Sequence, residues 1–194
     1  QNLPATAEEK PVAESVTIKE TPPGIKLQTI LPDGSRVWLN ADSRVSYDHN
    51  YGKKDRKICL TGEAFFEVEE DKQHPFIVQS GKLTITALGT SFNVRSLAEA
   101  ETAEVALVTG KVEVARDGDS QEKIVLNPGQ KVLHNPTITN LIKSTFSMED
   151  EIGWKAGILV FNSARFQEIQ RTLERWYGVE IHSELFPGEE WNYT

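Results

Sequence analysis

Apolar and polar side chains alternate with a period of two through much of this chain. In KICLTGEAFFEVE, Ile58, Leu60, Gly62, Ala64, Phe66 and Val68 share one side. Cys59, Thr61, Glu63, Phe65 and Glu67 share the other, which is the spacing of a β-strand. The same rhythm returns in GIKLQTILPDGSRVWLN, SRVSYD, PFIVQSGKLTITALGTSFNVRSL, EVALVTGKVEVAR and KIVLNPGQKVLH. Turn residues separate the runs at Pro32-Asp33-Gly34, Ser80-Gly81, near Gly89, at Thr109-Gly110 and at Asn127-Pro128-Gly129. About ten short strands are expected over roughly 25–140. No amphipathic helix alternates with them, which argues against a doubly wound α/β sheet. Recurring strand–glycine–strand units fit either a solenoid-like coil or a jelly-roll-like sandwich, and their spacing is too irregular for a repeat.

The pattern then switches. ILVF at 158–161 reads as a short apolar strand. NSARFQEIQRTLERWYG carries Phe166, Ile169, Leu173, Trp176 and Tyr177 on one helical face. Asn162 or Ser163 is the expected N-cap, and Gly178 the expected left-handed terminator. VEIHSEL follows as a second strand, so a small βαβ unit is expected. Its aromatic cluster of Trp154, Phe161, Phe166, Trp176 and Tyr177 reads as the core of that unit. The domain reading is a linker over 1–24, with one strand at ESVTIKE, an all-β domain over 25–145, and an α+β (βαβ) domain over 150–194. The fold class is thus mainly β with a small α+β appendage.

Charge narrows the function classes. The 194 residues carry a formal charge of −8, and an acidic chain without a basic stripe is a poor nucleic-acid binder. The densest cationic run, KKDRK at 53–57, reads as a solvated turn. The single cysteine, Cys59, forbids an intrachain disulfide and reads as a small buried side chain. No apolar run approaches the ~18 residues of a membrane span. His49, His74, His134 and His182 show no metal-ligand spacing, and no nucleophile motif or phosphate loop is present. Asp33 is turn chemistry, and His74, before Pro75, is a loop residue. Glu63 and Glu67 share a strand face but stand some ~13 Å apart, so they read as a solvated or inter-layer face rather than a catalytic pair. No enzyme and no cofactor is expected. Trp38 and Phe65 point away from the core-facing residues and raise a second reading, a carbohydrate-binding β module. A layered sheet with both faces covered explains them equally. A scaffold without a sensing role is a third reading.

The ordered series LPDGSRVWLNADSRVSY, LTGEAFFEVEEDKQHPFIV, ALGTSFNVRSL, VALVTGKVEV and LNPGQKV resembles the FecR family of anti-sigma regulators. WKAGILVFNSARFQEIQRTLERWYGVEI resembles the C-terminal domain of members from Bacteroidetes. Together these motifs cover roughly 25–182. The resemblance implies the periplasmic part of a single-pass inner-membrane protein. It implies two partners: the signalling domain of a TonB-dependent outer-membrane transporter, and an extracytoplasmic-function (ECF) sigma factor held by a cytoplasmic part outside this sequence. Membrane contact would come only through a transmembrane helix outside this sequence, and nucleic acid is not a partner. Family C-terminal domains resemble the short secretin/TonB N-terminal domain, a doubled βαβ, whereas this sequence stops after the first half. Unpaired strand edges accept a partner strand, so Ile158, Leu159, Val160, Phe161, Trp176 and Tyr177 are the candidate partner-binding residues.

Overall fold

The longest alternating run becomes the longest strand, and it belongs to two sheets at once. The structure is a computed structural model that describes residues 15–53, 55–97, 102–117, 119–137, 140–182 and 192–193. In chain order the first strands are β1 (Val16–Thr21), β2 (Leu27–Ile30), β3 (Arg36–Leu39), β4 (Ser43–Asp48) and β5 (Arg56–Glu67). There follow β6 (Phe76–Ser80), β7 (Leu83–Ala87), β8 (Ser91–Leu97) and β9 (Thr102–Thr109). The last of the sandwich are β10 (Val112–Arg116), β11 (Asp119–Leu126), β12 (Gln130–His134) and β13 (Ile142–Thr145).

One layer runs β1-β4-β5-β6-β7-β10-β11 and the other β2-β3-β5-β8-β9-β12-β13. The N-terminal half of β5 pairs with β4 and, in parallel, with β6. From Gly62 onward its partner is β8, joined by β3 from Ala64 onward. This is a sandwich of two layers, not a coil of stacked turns. Its core follows from the alternation: Ile58, Leu60, Ala64 and Phe66 of β5 are buried between the layers. Phe66 stacks on Phe92 at 5.2 Å and meets Phe76 at 5.8 Å.

The chain changes layer repeatedly, and several glycine turns that look like hairpins are crossings. Gly110 links β9 to β10, which lie in opposite layers. It adopts φ +84°, and a Cβ there would stand 2.7 Å from the Gly89 carbonyl oxygen, in the crossing from β7 to β8. The two crossings lie against each other, closer than any larger residue permits.

The strand expected at ESVTIKE forms as β1, ladder-paired along β4 at a layer edge. Two local expectations need correction. Cys59 is exposed, because the solvent-side half of β5 lies uncovered where the strand is in the first layer. Arg56, in the run read as a solvated turn, is only 2% exposed. Its planar fork reaches four groups of neighbouring loops, which a charge-pattern reading cannot foresee.

Candidate docking surface

The outward face of the second layer is closed by the chain that follows the sandwich. Helix α1 (Met148–Ile152) and a 3₁₀ turn (Gly153–Ala156) lie across it. Trp154, 6% exposed, donates its indole N–H to Asn93 Oδ1 at 3.3 Å. Asn93 in turn donates to Glu63 Oε1 at 2.9 Å, and Asn40 donates to Glu63 Oε2 at 2.8 Å. Glu63 is therefore a buried, satisfied carboxylate on the outward face of the second layer, beneath the Trp154 segment. The Lys155 ammonium stands 3.9 Å from the Trp38 ring centre and 3.6 Å from that of Phe65, with Glu67 at 3.8 Å. The two rings meet edge to face at 5.8 Å. Trp38 and Phe65 are thus covered from within rather than presented as a sugar platform. Trp154 belongs to this contact and not to the core of the helical unit, because its N–H finds an acceptor only on the sandwich.

A charged knot fastens α1 to the sandwich. Lys131 Nζ lies 3.2 Å from Glu104 Oε2 and also bonds Glu151 of α1, while Arg95 Nη2 reaches Glu104 Oε1 at 3.3 Å. Burial, then the neighbouring Glu104, pushes Glu151 up to about 7, against the pull of Lys131. Burial works to raise Glu104 as well, but hydrogen bonding from Glu151 and the charges of Arg95 and Lys131 outweigh it and lower it. The folded state thus favours protonated Glu151 over the unfolded chain, where its value is near 4.5. The contribution to stability is complete below that unfolded value and disappears as pH rises through about 7. Stability of the wild type is expected to fall by about 1–3 kcal/mol between about pH 5 and about pH 8 from this group. Glu151→Gln should flatten that slope, as read from urea midpoints at each pH. Equal slopes in both proteins would refute the assignment.

Helix α2 (Phe166–Tyr177) follows. It starts later than the sequence suggests. Neither Asn162 nor Ser163 caps it; Arg165 is the N-cap, and its N–H donates to Glu168 Oε2 at 3.0 Å. Gly178 ends it at φ +66°, as expected. The helix end is tied to the β1–β2 crossing: Gly24 N–H donates to Arg175 O at 2.9 Å. Lys26 Nζ sits 3.2 Å from the Trp176 ring centre and donates to Trp154 O at 2.9 Å.

Two clefts separate α2 from the sandwich, of about 740 and about 410 Å³. The smaller is lined by Ile158, Leu159, Val160, Phe161 and Trp176, five of the six residues singled out in the sequence. Tyr177, the sixth, lies outside it and is 63% exposed. Residues 158–161 form no strand, and Ile158 and Val160 are 42% and 37% exposed. Strand β14 is instead Ala164–Arg165, paired antiparallel with β15 (Asn192–Tyr193). Residues 179–182 are likewise not in a strand, and the rest of VEIHSEL lies outside the described residues. Phe161, Phe166, Ile169, Leu173 and Trp176 are half-buried, and no residue of α2 is fully buried. No cluster of metal-binding side chains and no helix long and apolar enough to cross a membrane occurs among the described residues.

Two family models match the chain in turn. The model of the family "FecR protein" matches residues 18–113, and that of "FecR, C-terminal" matches residues 158–189. Two crystal structures from Parabacteroides distasonis ATCC 8503, each of a protein assigned as an anti-sigma factor, share the fold. One, at 2.50 Å, superposes with a TM-score of 0.81 and 30% identity over 92% of this chain and 84% of its own. The other, at 1.65 Å, gives 0.76 and 33% over 84% and 75%. The chain belongs to the FecR family of anti-sigma factors. No curated protein matches it. FecR-family anti-sigma factors are regulators rather than enzymes, and the sigma factor is their general partner. The sandwich and the α+β part thus carry a regulatory role in which surfaces, not catalytic groups, are the chemistry.

Proposed function

We propose that this chain is the periplasmic part of a single-pass inner-membrane anti-sigma factor. It receives a signal from the signalling domain of a TonB-dependent outer-membrane transporter and relays it to an ECF sigma factor that controls uptake genes. The observation that carries this reading is the segment Ile158–Phe161 beside α2. Its apolar side chains are partly exposed and its backbone is outside any strand, which suits a segment that pairs with a partner strand. Binding there biases the placement of α2 over the sandwich by its differential affinity for the two placements.

The test is calorimetry against the signalling domain of a receptor encoded beside this gene. Wild type should bind with measurable heat, and Ile158→Asp with Val160→Asp should weaken binding about ten-fold or more. The melting temperature should stay close to that of wild type, because both side chains are already partly in water. An absence of binding by the wild type, with the neighbouring receptor's domain folded, would remove the docking reading. A topology reporter fused to the full gene product checks the membrane arrangement.

A further inference from the structure

Helix α2 turns its charged edge toward the clefts, with Trp176 the one member of its apolar stripe that lines them. At about 100° per residue, Glu168, Arg171, Thr172 and Arg175 share one side. All four line the smaller cleft, and Arg171 and Arg175 line both. Phe166, Ile169 and Leu173 lie on the opposite side of the helix and line neither. A helix that docked for stability alone would put its apolar stripe against the sheet.

The acids around the clefts are largely engaged. Both oxygens of Glu63 accept from asparagine amides. Glu168 accepts from the Arg165 N–H. Glu174 Oε1 accepts from Ile181 N–H at 2.9 Å and Gln170 Nε2 at 3.2 Å. Its carboxyl is lowered first by the Ile181 bond. Asp42, Asp150 and Glu180 remain as exposed acids at the rims, bathed in water. The guanidiniums of Arg171 and Arg175, one turn apart, form no ion pair among the described residues. Arg175 is half-buried, while its main-chain oxygen is spent on Gly24. Arg171 is exposed, and both arginines line a cleft that apolar Leu159 and Phe161 also line; the planar donor fork of arginine suits a carboxylate carried on an apolar segment.

We propose that α2 reads an acidic side chain of the docking partner, seated between Arg171 and Arg175 in the cleft against the sandwich. This rests on the docking reading above. It gives that site a charge requirement in a chain whose net charge of −8 would otherwise repel an acidic partner.

Titration calorimetry of wild type and Arg171→Glu/Arg175→Glu against the neighbouring receptor's signalling domain tests it, at low and high salt. The double variant should bind at least about ten-fold more weakly, and its affinity should depend less steeply on salt. Lys57→Glu, an exposed charge reversal on the first layer, should bind as wild type. A milder Arg171→Gln/Arg175→Gln pair, with an unchanged melting curve, guards against misfolding and should show an intermediate loss. Replacing one acidic residue of the partner by lysine should restore binding to the double glutamate variant. If wild type fails to bind, the docking reading falls and this inference with it. If the double variant binds like wild type with the same salt slope, this inference alone falls.

Discussion

Gly62→Ala is expected to melt far below wild type, and Gly62→Val is expected not to yield folded protein. Gly62 is where β5 passes from one layer to the other. Its φ is +91°, and a Cβ there would stand 2.5 Å from Ser43 Oγ and 2.7 Å from both Asp42 O and Ser43 Cα. Two of these are backbone atoms in a segment held by its own bonds: Asp42 N–H donates to Pro22 O at 3.3 Å, Ser43 N–H to Thr21 Oγ1 at 3.1 Å, and Thr21 Oγ1 to Ser43 O at 3.1 Å. Unlike the end of a flexible side chain, they have no room to give. A non-glycine residue in that conformation costs about 1–3 kcal/mol. Forced overlap adds about 1–3 kcal/mol. Together these approach the ~5–15 kcal/mol that holds a domain folded. Thermal melts followed by circular dichroism decide the matter: an alanine variant that melts within about a degree of wild type would contradict the left-handed crossing.

Arg56→Met should cost about 3–5 kcal/mol, read as a fall in the urea midpoint with an unchanged slope. The Arg56 side chain is 3% exposed and pairs with Asp33 at 3.1 Å. Nε donates to His74 O at 2.7 Å, Nη1 to Glu69 O at 2.9 Å and Nη2 to Asp71 O at 3.2 Å. Methionine fills the space but leaves three loop carbonyls and a buried carboxylate without that donor. Asp33→Asn keeps an oxygen for the Ser35 N–H but puts an amide donor where Oδ2 accepts from Ser35 Oγ and Arg56 Nη1; the guanidinium keeps its three loop carbonyls, so this variant should cost less. If both variants unfold at the wild-type urea concentration, the guanidinium is not what orders the 68–75 loop.

These two residues also show what the sequence made legible. Alternation placed the inward side chains of β5, and the Pro-Asp-Gly signature placed the β2–β3 turn. Both are properties of consecutive residues. The charged neighbours of Arg56 suggest a solvated residue, yet its environment is supplied by residues 33, 69, 71 and 74. Glycine turns were visible as turns, but a turn within a layer and a crossing between layers use the same residue type. The apolar spacing of α2 revealed a helix and not which edge it turns to the sandwich. ILVF has strand composition without a neighbour to pair with among the described residues, so composition outran topology there. Of the proposed docking surface, the apolar half is readable from side-chain type. The arginine edge emerged only once the helix was seen standing over its clefts.

The tie between Gly24 and the last turn of α2 has a mechanical meaning. It gives the C-terminal end of the helix a path into the sandwich at the short connection between β1 and β2, separate from the path through α1 and its charged knot. Among the described residues, β1 is a terminal ribbon of its layer, hydrogen-bonded along one side to β4. Such a ribbon peels one bond at a time, whereas the interior resists as a block. The last turn of the helix and the N-terminal ribbon are thus coupled through a backbone bond at the edge of the sandwich.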